Sequence, residues 1–201
     1  MAASVARLQR EAAGCRRCHL WKLGTQTVFG EGPKEAALML VGEQPGDVED
    51  REGRPFVGPA GRLLRELLEE ARIGEESIYL TNAVKHFKWR PKGKRRIHDK
   101  PNWSEIRACS HWLELELEAV APELVVCLGA TATQLLLGRD ARVGALRRKL
   151  LDLTDGTPAL VTIHPSAVLR AGDERDERRA ELLEDLELAH TILAERTPAA
   201  T

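Results

Sequence analysis

Residues 36–50 read AALMLVGEQPGDVED. The first six are apolar, and the run then breaks at glycine, acid and Pro-Gly. A run this short with such an end fits a strand buried on both faces and followed by a loop, rather than a helix. Three other runs have the same form, at 78–84, 124–128 and 159–163, each bounded by Gly, Pro or a polar turn. Helical periodicity lies between them. Segment 59–72 repeats Leu63, Leu64, Leu67, Leu68 and Ala71 before Gly74; 103–120 closes before Pro122; 130–137 stops at Gly138. Segment 174–195 places Leu182, Leu183, Leu186, Ala189 and Leu193 on one face. Strands alternating with helices imply parallel pairing and right-handed crossovers. The expected fold is α/β, a three-layer α/β/α sandwich with a central four-stranded parallel sheet. It forms one domain over 1–201, with an N-terminal arm (1–35) and a basic loop (85–101). The closing TPAAT is expected to be loose.

The 201 residues carry a net charge of −1, so no global field draws the chain to nucleic acid. The distribution of charge is more telling. Between Lys85 and Lys100 stand eight Lys or Arg and one acid, Asp99. Such a segment is either a solvated loop or a seat for a polyanion. Within it, KGKRRIHDKP (92–101) places His98 after the lone apolar Ile97, which a solvated loop does not require. The N-terminus has no apolar run and no stretch is long enough to span a membrane, so the expectation is a cytoplasmic monomer without membrane contact. Four cysteines in that setting point to metal, catalysis or core filling rather than disulfides.

A parallel sheet gathers its post-strand loops along one rim, where ligands bind. Those loops are GEQPGDVED (42–50), NAVKH (82–86), LGATA (128–132) and HPSAVLR (164–170), and three of the four carry polar or charged groups. Ahead of the first strand, Cys15 and Cys18 form CRRC, a spacing that suits tetrahedral thiolate ligation of zinc or an iron–sulfur cluster. Two more ligands are then needed. Cys127 sits mid-strand in LVVCLG and reads as a core residue. Cys109 follows the basic loop in a polar context, and His86 is either a fourth ligand or a surface histidine.

GEQPGDVEDREGRPFVGPAGRLL, TNAVK and HPSAVLR resemble the motifs of the uracil-DNA glycosylase superfamily. The CRRC start is similar to its iron–sulfur branch, family four, and GKRRIH resembles the insertion of one subgroup, the covalent uracil-DNA-binding (UdgX) type. The similarity runs from about Cys15 to the last helix. It implies a [4Fe-4S] cluster held by Cys15, Cys18, His86 and Cys109, although family four has cysteine where this chain has His86. It also implies a pocket for a flipped-out uracil in DNA, single-stranded by preference and duplex as an alternative.

By the same resemblance, Asn82 reads uracil's O4 and N3–H, Phe56 stacks on the base, and Gly42, Gly46 and Gly58 allow close backbone approach. His164 steadies the departing uracil anion. Ser166 and Arg170 hold phosphate, with Val168 and Leu169 filling the vacated stack. Lys94, Arg95 and Arg96 anchor the loop on phosphate so that His98 faces C1′. There a neutral imidazole can attack the sugar cation in place of water. Glu43 fixes its tautomer and balances its charge, while Gln44 and Asp47 position sugar or water. The expected activity is uracil excision that ends in a covalent bond between His98 and the abasic sugar. The alternatives are an ordinary multiple-turnover glycosylase, a uracil-DNA sensor without chemistry, and a zinc-binding nucleic-acid module.

Overall fold

The computed structural model describes residues 4–196, so the TPAAT segment lies outside them. Four parallel strands form the centre: β1 (Leu38–Gly42), β2 (Ile78–Asn82), β5 (Leu124–Leu128) and β7 (Pro158–Thr162). Every residue in them is buried, which is why their sequences read as continuous apolar runs instead of alternating ones. The alternation is between two cores. Leu38, Leu40, Leu80, Val126 and Leu160 face α3 (Pro59–Glu70) and α8 (Arg175–Arg196). Met39, Val41, Tyr79, Val125, Cys127 and Val161 face α4 (Trp103–Val120) and α5 (Ala130–Leu137). The three-layer sandwich follows directly.

The sheet has five strands, not four, in the order β2-β1-β5-β7-β6. The extra strand, β6 (Leu151–Asp152), is antiparallel to β7. Two residues carry no periodicity, so nothing in the sequence marks it. Helix ends match their local chemistry. At the start of α4, Asn102 Oδ1 accepts from the Glu105 amide at 3.0 Å and Glu105 accepts from the Asn102 amide at 2.6 Å. That reciprocal cap fixes where the helix begins.

The basic segment is not a loop without pattern. It is a hairpin, β3 (Trp89–Lys92) against β4 (Arg95–His98), with Trp89 opposite His98. Gly93 turns it at φ 59, a conformation that favours glycine. The hairpin shows no apolar alternation because most of it is exposed. A third apolar cluster joins α1 (Val5–Ala12), the arm and α4, and contains Leu8, Leu20, Phe29, Ile106 and Trp112 with Cys15 and Cys109. No helix of the described residues is long and apolar enough to cross a membrane.

Candidate active site

The connection from β1 runs to β2 on one side and that from β5 runs to β7 on the other, so the sheet has its switch point between β1 and β5. Ligands bind at the carboxyl ends of strands at such a point. A cleft of about 800 Å³ opens there, lined by Glu43, Gln44, Asp47, Phe56, Asn82, His98, Thr131, His164, Ser166 and Arg170 among others. All four post-strand loops reach it.

The floor is built around Gly42. A Cβ at that position would overlap Asn82 Oδ1 and stand 2.7 Å from the Phe56 ring. The glycine therefore lets both groups close over the strand end. Asn82 is 4% exposed, and its carboxamide makes no hydrogen bond within the described protein, so donor and acceptor are both free for a ligand. Phe56 takes a left-handed backbone at φ 55, which costs about 1–3 kcal/mol for such a residue. Glu49, in α2 (Asp47–Glu52), ties the loops together by accepting from the Gly58 amide at 2.9 Å and the Gly46 amide at 3.2 Å.

His164 is the N-cap of α7 (Pro165–Leu169). Its Nδ1 accepts from the Ser166 amide at 3.1 Å, which leaves the proton on Nε2. Burial pushes its pKa down to about 4, so the ring is neutral and offers one N–H donor. Such a donor suits an anionic oxygen. The phenyl of Phe56 lies near-parallel to it, with centroids 6.3 Å apart.

Across the cleft, His98 Nε2 lies 3.2 Å from Glu43 Oε1, and Thr131 Oγ1 donates to Glu43 Oε2 at 2.5 Å. Burial alone would raise the Glu43 carboxyl. The hydrogen bonds from His98 and Thr131 outweigh it and hold the group below the usual carboxylate range. The His98 side chain is 48% exposed, open to an incoming molecule. Thr131 has no place in the sequence reading; the signal was a hydroxyl in LGATA directly across the switch point.

Several predicted phosphate or sugar contacts are committed to holding the hairpin or the pocket instead. Arg96 turns inward between Phe87 and Trp89, pairing with Asp47 at 2.5 Å and with fully buried Asp50 at 2.6 Å. Asp50 also accepts from the Thr25 amide and hydroxyl, and Arg96 supplies the cation that balances its buried charge. Asp47 is the second carboxylate that this guanidinium pairs with. Gln44 spends its amide on Lys88 O and Asp99 O, both at 3.1 Å, and its oxygen on the Lys88 amide. It thus clamps the base of the hairpin from the edge of the cleft. Ser166 Oγ lies 2.8 Å from His164 Nδ1 and steadies that ring. Val168 is fully buried in the core and cannot act as a wedge, whereas Leu169 is 38% exposed at the rim. Lys94, Arg95 and Arg170 are solvent-exposed and free to meet phosphate.

The four candidate cluster ligands lie around the third apolar cluster. Cys15, Cys18 and Cys109 are free thiols, near enough that Cys15 bears on the ionisation of Cys18, and both on that of Cys109. Two N–H groups aim at sulfur: Trp112 Nε1 to Cys15 Sγ at 3.1 Å and the Lys85 amide to Cys109 Sγ at 3.2 Å. Thr27 donates its hydroxyl proton to Ala12 O, so His86 Nε2, 3.1 Å away, must be the donor to Thr27. That leaves His86 Nδ1 with a lone pair, buried and unpartnered. Burial also lowers the His86 pKa and keeps it neutral. Three thiols, two N–H···S donors and one orphaned imidazole lone pair are the chemistry of a thiolate–imidazole site. No group of three or more His, Cys, Asp or Glu among the described residues converges on a single-ion position. Cys127 is fully buried in the core, its thiol pushed up to about 12.

The model of the uracil DNA glycosylase superfamily matches residues 29–187. A type-4 uracil-DNA glycosylase of Thermotoga maritima is 38% identical over 180 residues, covering 89% of each chain. That of Sulfurisphaera tokodaii is 37% identical over 137 residues, 68% of this chain and 59% of that protein. The Archaeoglobus fulgidus protein of the same description is 34% identical over 175 residues, 84% of each. With a family match across most of its length and a cleft at the same strand ends its motifs occupy, the chain belongs to the uracil DNA glycosylase superfamily.

Proposed function

We propose that this protein excises uracil from DNA and stays bonded to the product through His98. The single observation that carries the covalent step is the His98–Glu43 pair, 3.2 Å apart at the cleft rim on a hairpin held from behind. A base within a duplex is unreachable, so the uracil is flipped or taken from a single strand, our preferred substrate. Exposed Lys94, Arg95 and Arg170 meet the backbone phosphates. Asn82 offers its amide N–H to uracil O4 and its oxygen to N3–H. Cytosine reverses that pattern and leaves buried groups unpaired at about 1–3 kcal/mol each.

As the glycosidic bond breaks, its electron pair leaves with uracil. Neutral His164 donates Nε2–H to the anion, which it stabilises without needing to be charged. The imidazole lone pair of His98 then forms a bond to cationic C1′. The alkylated ring is an imidazolium until its remaining N–H proton departs, and Glu43, already ionised, balances that charge. An N-glycosylated imidazole whose cleft no longer holds a base has no acid to expel it, so turnover ends. Cys15, Cys18, His86 and Cys109 would hold a [4Fe-4S] cluster that ties the arm to the body and supplies a one-electron centre. The protein acts as a monomer in this reading.

The second reading is a multiple-turnover glycosylase; the relatives are named simply as uracil-DNA glycosylases. Incubation of the native protein with a uracil oligonucleotide, followed by a denaturing gel, separates the two. Our reading expects a heat- and SDS-stable shifted band of one protein per strand; free abasic DNA alone would refute it. His98→Ser should admit water and convert the shifted band to abasic product.

A further inference from the structure

The strand end that carries Asn82 is held by a lysine with no role in the mechanism above. Lys85 is fully buried. Its ammonium donates to Thr81 Oγ1 and to the Asn82 carbonyl, both at 2.7 Å, and to the Glu116 carboxylate. Glu116, equally buried, also accepts from the Gly30 amide at 2.9 Å, Tyr79 Oη at 3.0 Å and Thr81 Oγ1 at 2.9 Å. Neither side chain has an unpartnered buried atom.

A buried ion pair is a poor way to add stability, since well-packed apolar residues of similar volume serve as well or better. What the pair supplies that apolar residues cannot is a set of charged donors. Its distinctive act is the bond from Nζ to the Asn82 carbonyl. Asn82 ends β2, the outermost strand on that side of the sheet, and the chain leaves regular pairing just beyond it. The Ala83 amide still donates to Gly42 O at 2.9 Å, and the Lys85 amide donates to Cys109 Sγ. Lys85 is thus fixed at its backbone by the cysteine. From there its side chain folds back three residues to grip the peptide that carries the carboxamide.

We infer that Lys85 is a positioning residue: by holding the main chain of Asn82 it sets the one orientation in which the carboxamide meets the uracil edge. This rests on the reading of Asn82 given above. Small displacements of a recognition group are costly, because hydrogen bonds to a flipped base depend on angle as well as reach.

The test replaces both charges at once, Lys85→Met with Glu116→Gln, which keeps an acceptor for Gly30, Tyr79 and Thr81. The expected protein is folded and binds uracil-free single-stranded DNA with native affinity. Its single-turnover rate of uracil release falls about 10–100-fold at saturating protein. Amide exchange at Ala83 and Val84 quickens. Lys85→Arg with Glu116→Asp restores a donor in similar volume and should recover part of the rate; it also serves as the working variant if the neutral pair does not fold. A neutral pair that releases uracil at the native rate, with native exchange at Ala83, would overturn the inference. So would a rate loss accounted for wholly by the unfolded fraction. If the native protein itself released no uracil, the proposed function would fall instead, and exchange at Ala83 would alone decide the role of Lys85.

Discussion

His164 shows how one side chain takes its chemistry from its surroundings. A histidine before proline is usually a helix cap, and here it is one, yet the same cap removes Nδ1 from service and leaves Nε2–H for the cleft. Its low pKa has a consequence for stability. Below about pH 6.5 an unfolded chain takes up a proton at an ordinary imidazole. The folded chain refuses that proton until about pH 4. Stability should therefore fall as pH drops through that window, since the unfolded state binds more protons there. His86, lowered by burial as well, pulls the same way, so the difference between native protein and His164→Asn isolates the share of His164. Urea midpoints at pH 7, 5.5 and 4.5 should show a shallower acid slope in the variant; equal slopes would contradict the assignment. Asn82 and His164 were legible because the first is a polar residue closing a strand and the second directly follows an apolar run. Lys85 was not: in sequence it is simply the first cation of a basic stretch, and Glu116 looks like any acid on a helix. Burial of a charge leaves no mark until the fold brings its partner.

The hairpin is the element on which the covalent reading turns. Arg96 stacks between two aromatic rings and pairs with Asp47 and Asp50, while Trp89 Nε1 donates to Leu23 O at 2.8 Å. Removing Arg96 with methionine leaves Asp50 buried without its cation and forfeits charge-assisted bonds worth about 1.5–3 kcal/mol each. We expect faster amide exchange over 89–98 and capture slowed by about tenfold or more. Lys94→Ala with Arg95→Ala should behave differently, with an unaltered hairpin but a DNA-binding salt slope reduced by roughly 1–2. Similar effects from both variants would mean that Arg96 contacts phosphate after all. The hairpin could have been found from Gly93 and Lys94 between two four-residue runs. It was hidden because an exposed two-stranded ribbon needs no apolar alternation, and Pro91 argues against a strand unless that strand lies at an edge. The two-residue β6 had no signal of any kind.

Across the whole molecule, one arm connects the thiol site to the hairpin that carries His98. Thr25 donates to Asp50 through its amide at 2.8 Å and its hydroxyl at 2.7 Å, and receives Arg96 Nη1 at 3.2 Å. His19 lies 3.2 Å from Glu105, which also binds Lys88 at 3.1 Å at the foot of the hairpin. Loosening the arm should therefore loosen the hairpin. Anaerobic purification should yield a brown protein containing iron and acid-labile sulfide, and stripping the metal should shift Trp89 fluorescence towards that of exposed indole while capture is lost. A colourless, zinc-loaded and fully active protein would contradict the cluster assignment. The overall charge of −1 gave no hint of a DNA partner because it averages the basic segment at 85–100 against acid-rich stretches such as 173–187. The architecture itself was legible, since buried parallel strands declare themselves as apolar runs. The central claim remains the bond to His98, and peptide mapping of the isolated adduct by mass spectrometry tests it most directly. After nuclease and protease digestion, the account predicts a deoxyribose-phosphate remnant on the imidazole of His98; an unmodified His98 peptide, or a remnant on another residue, would contradict it.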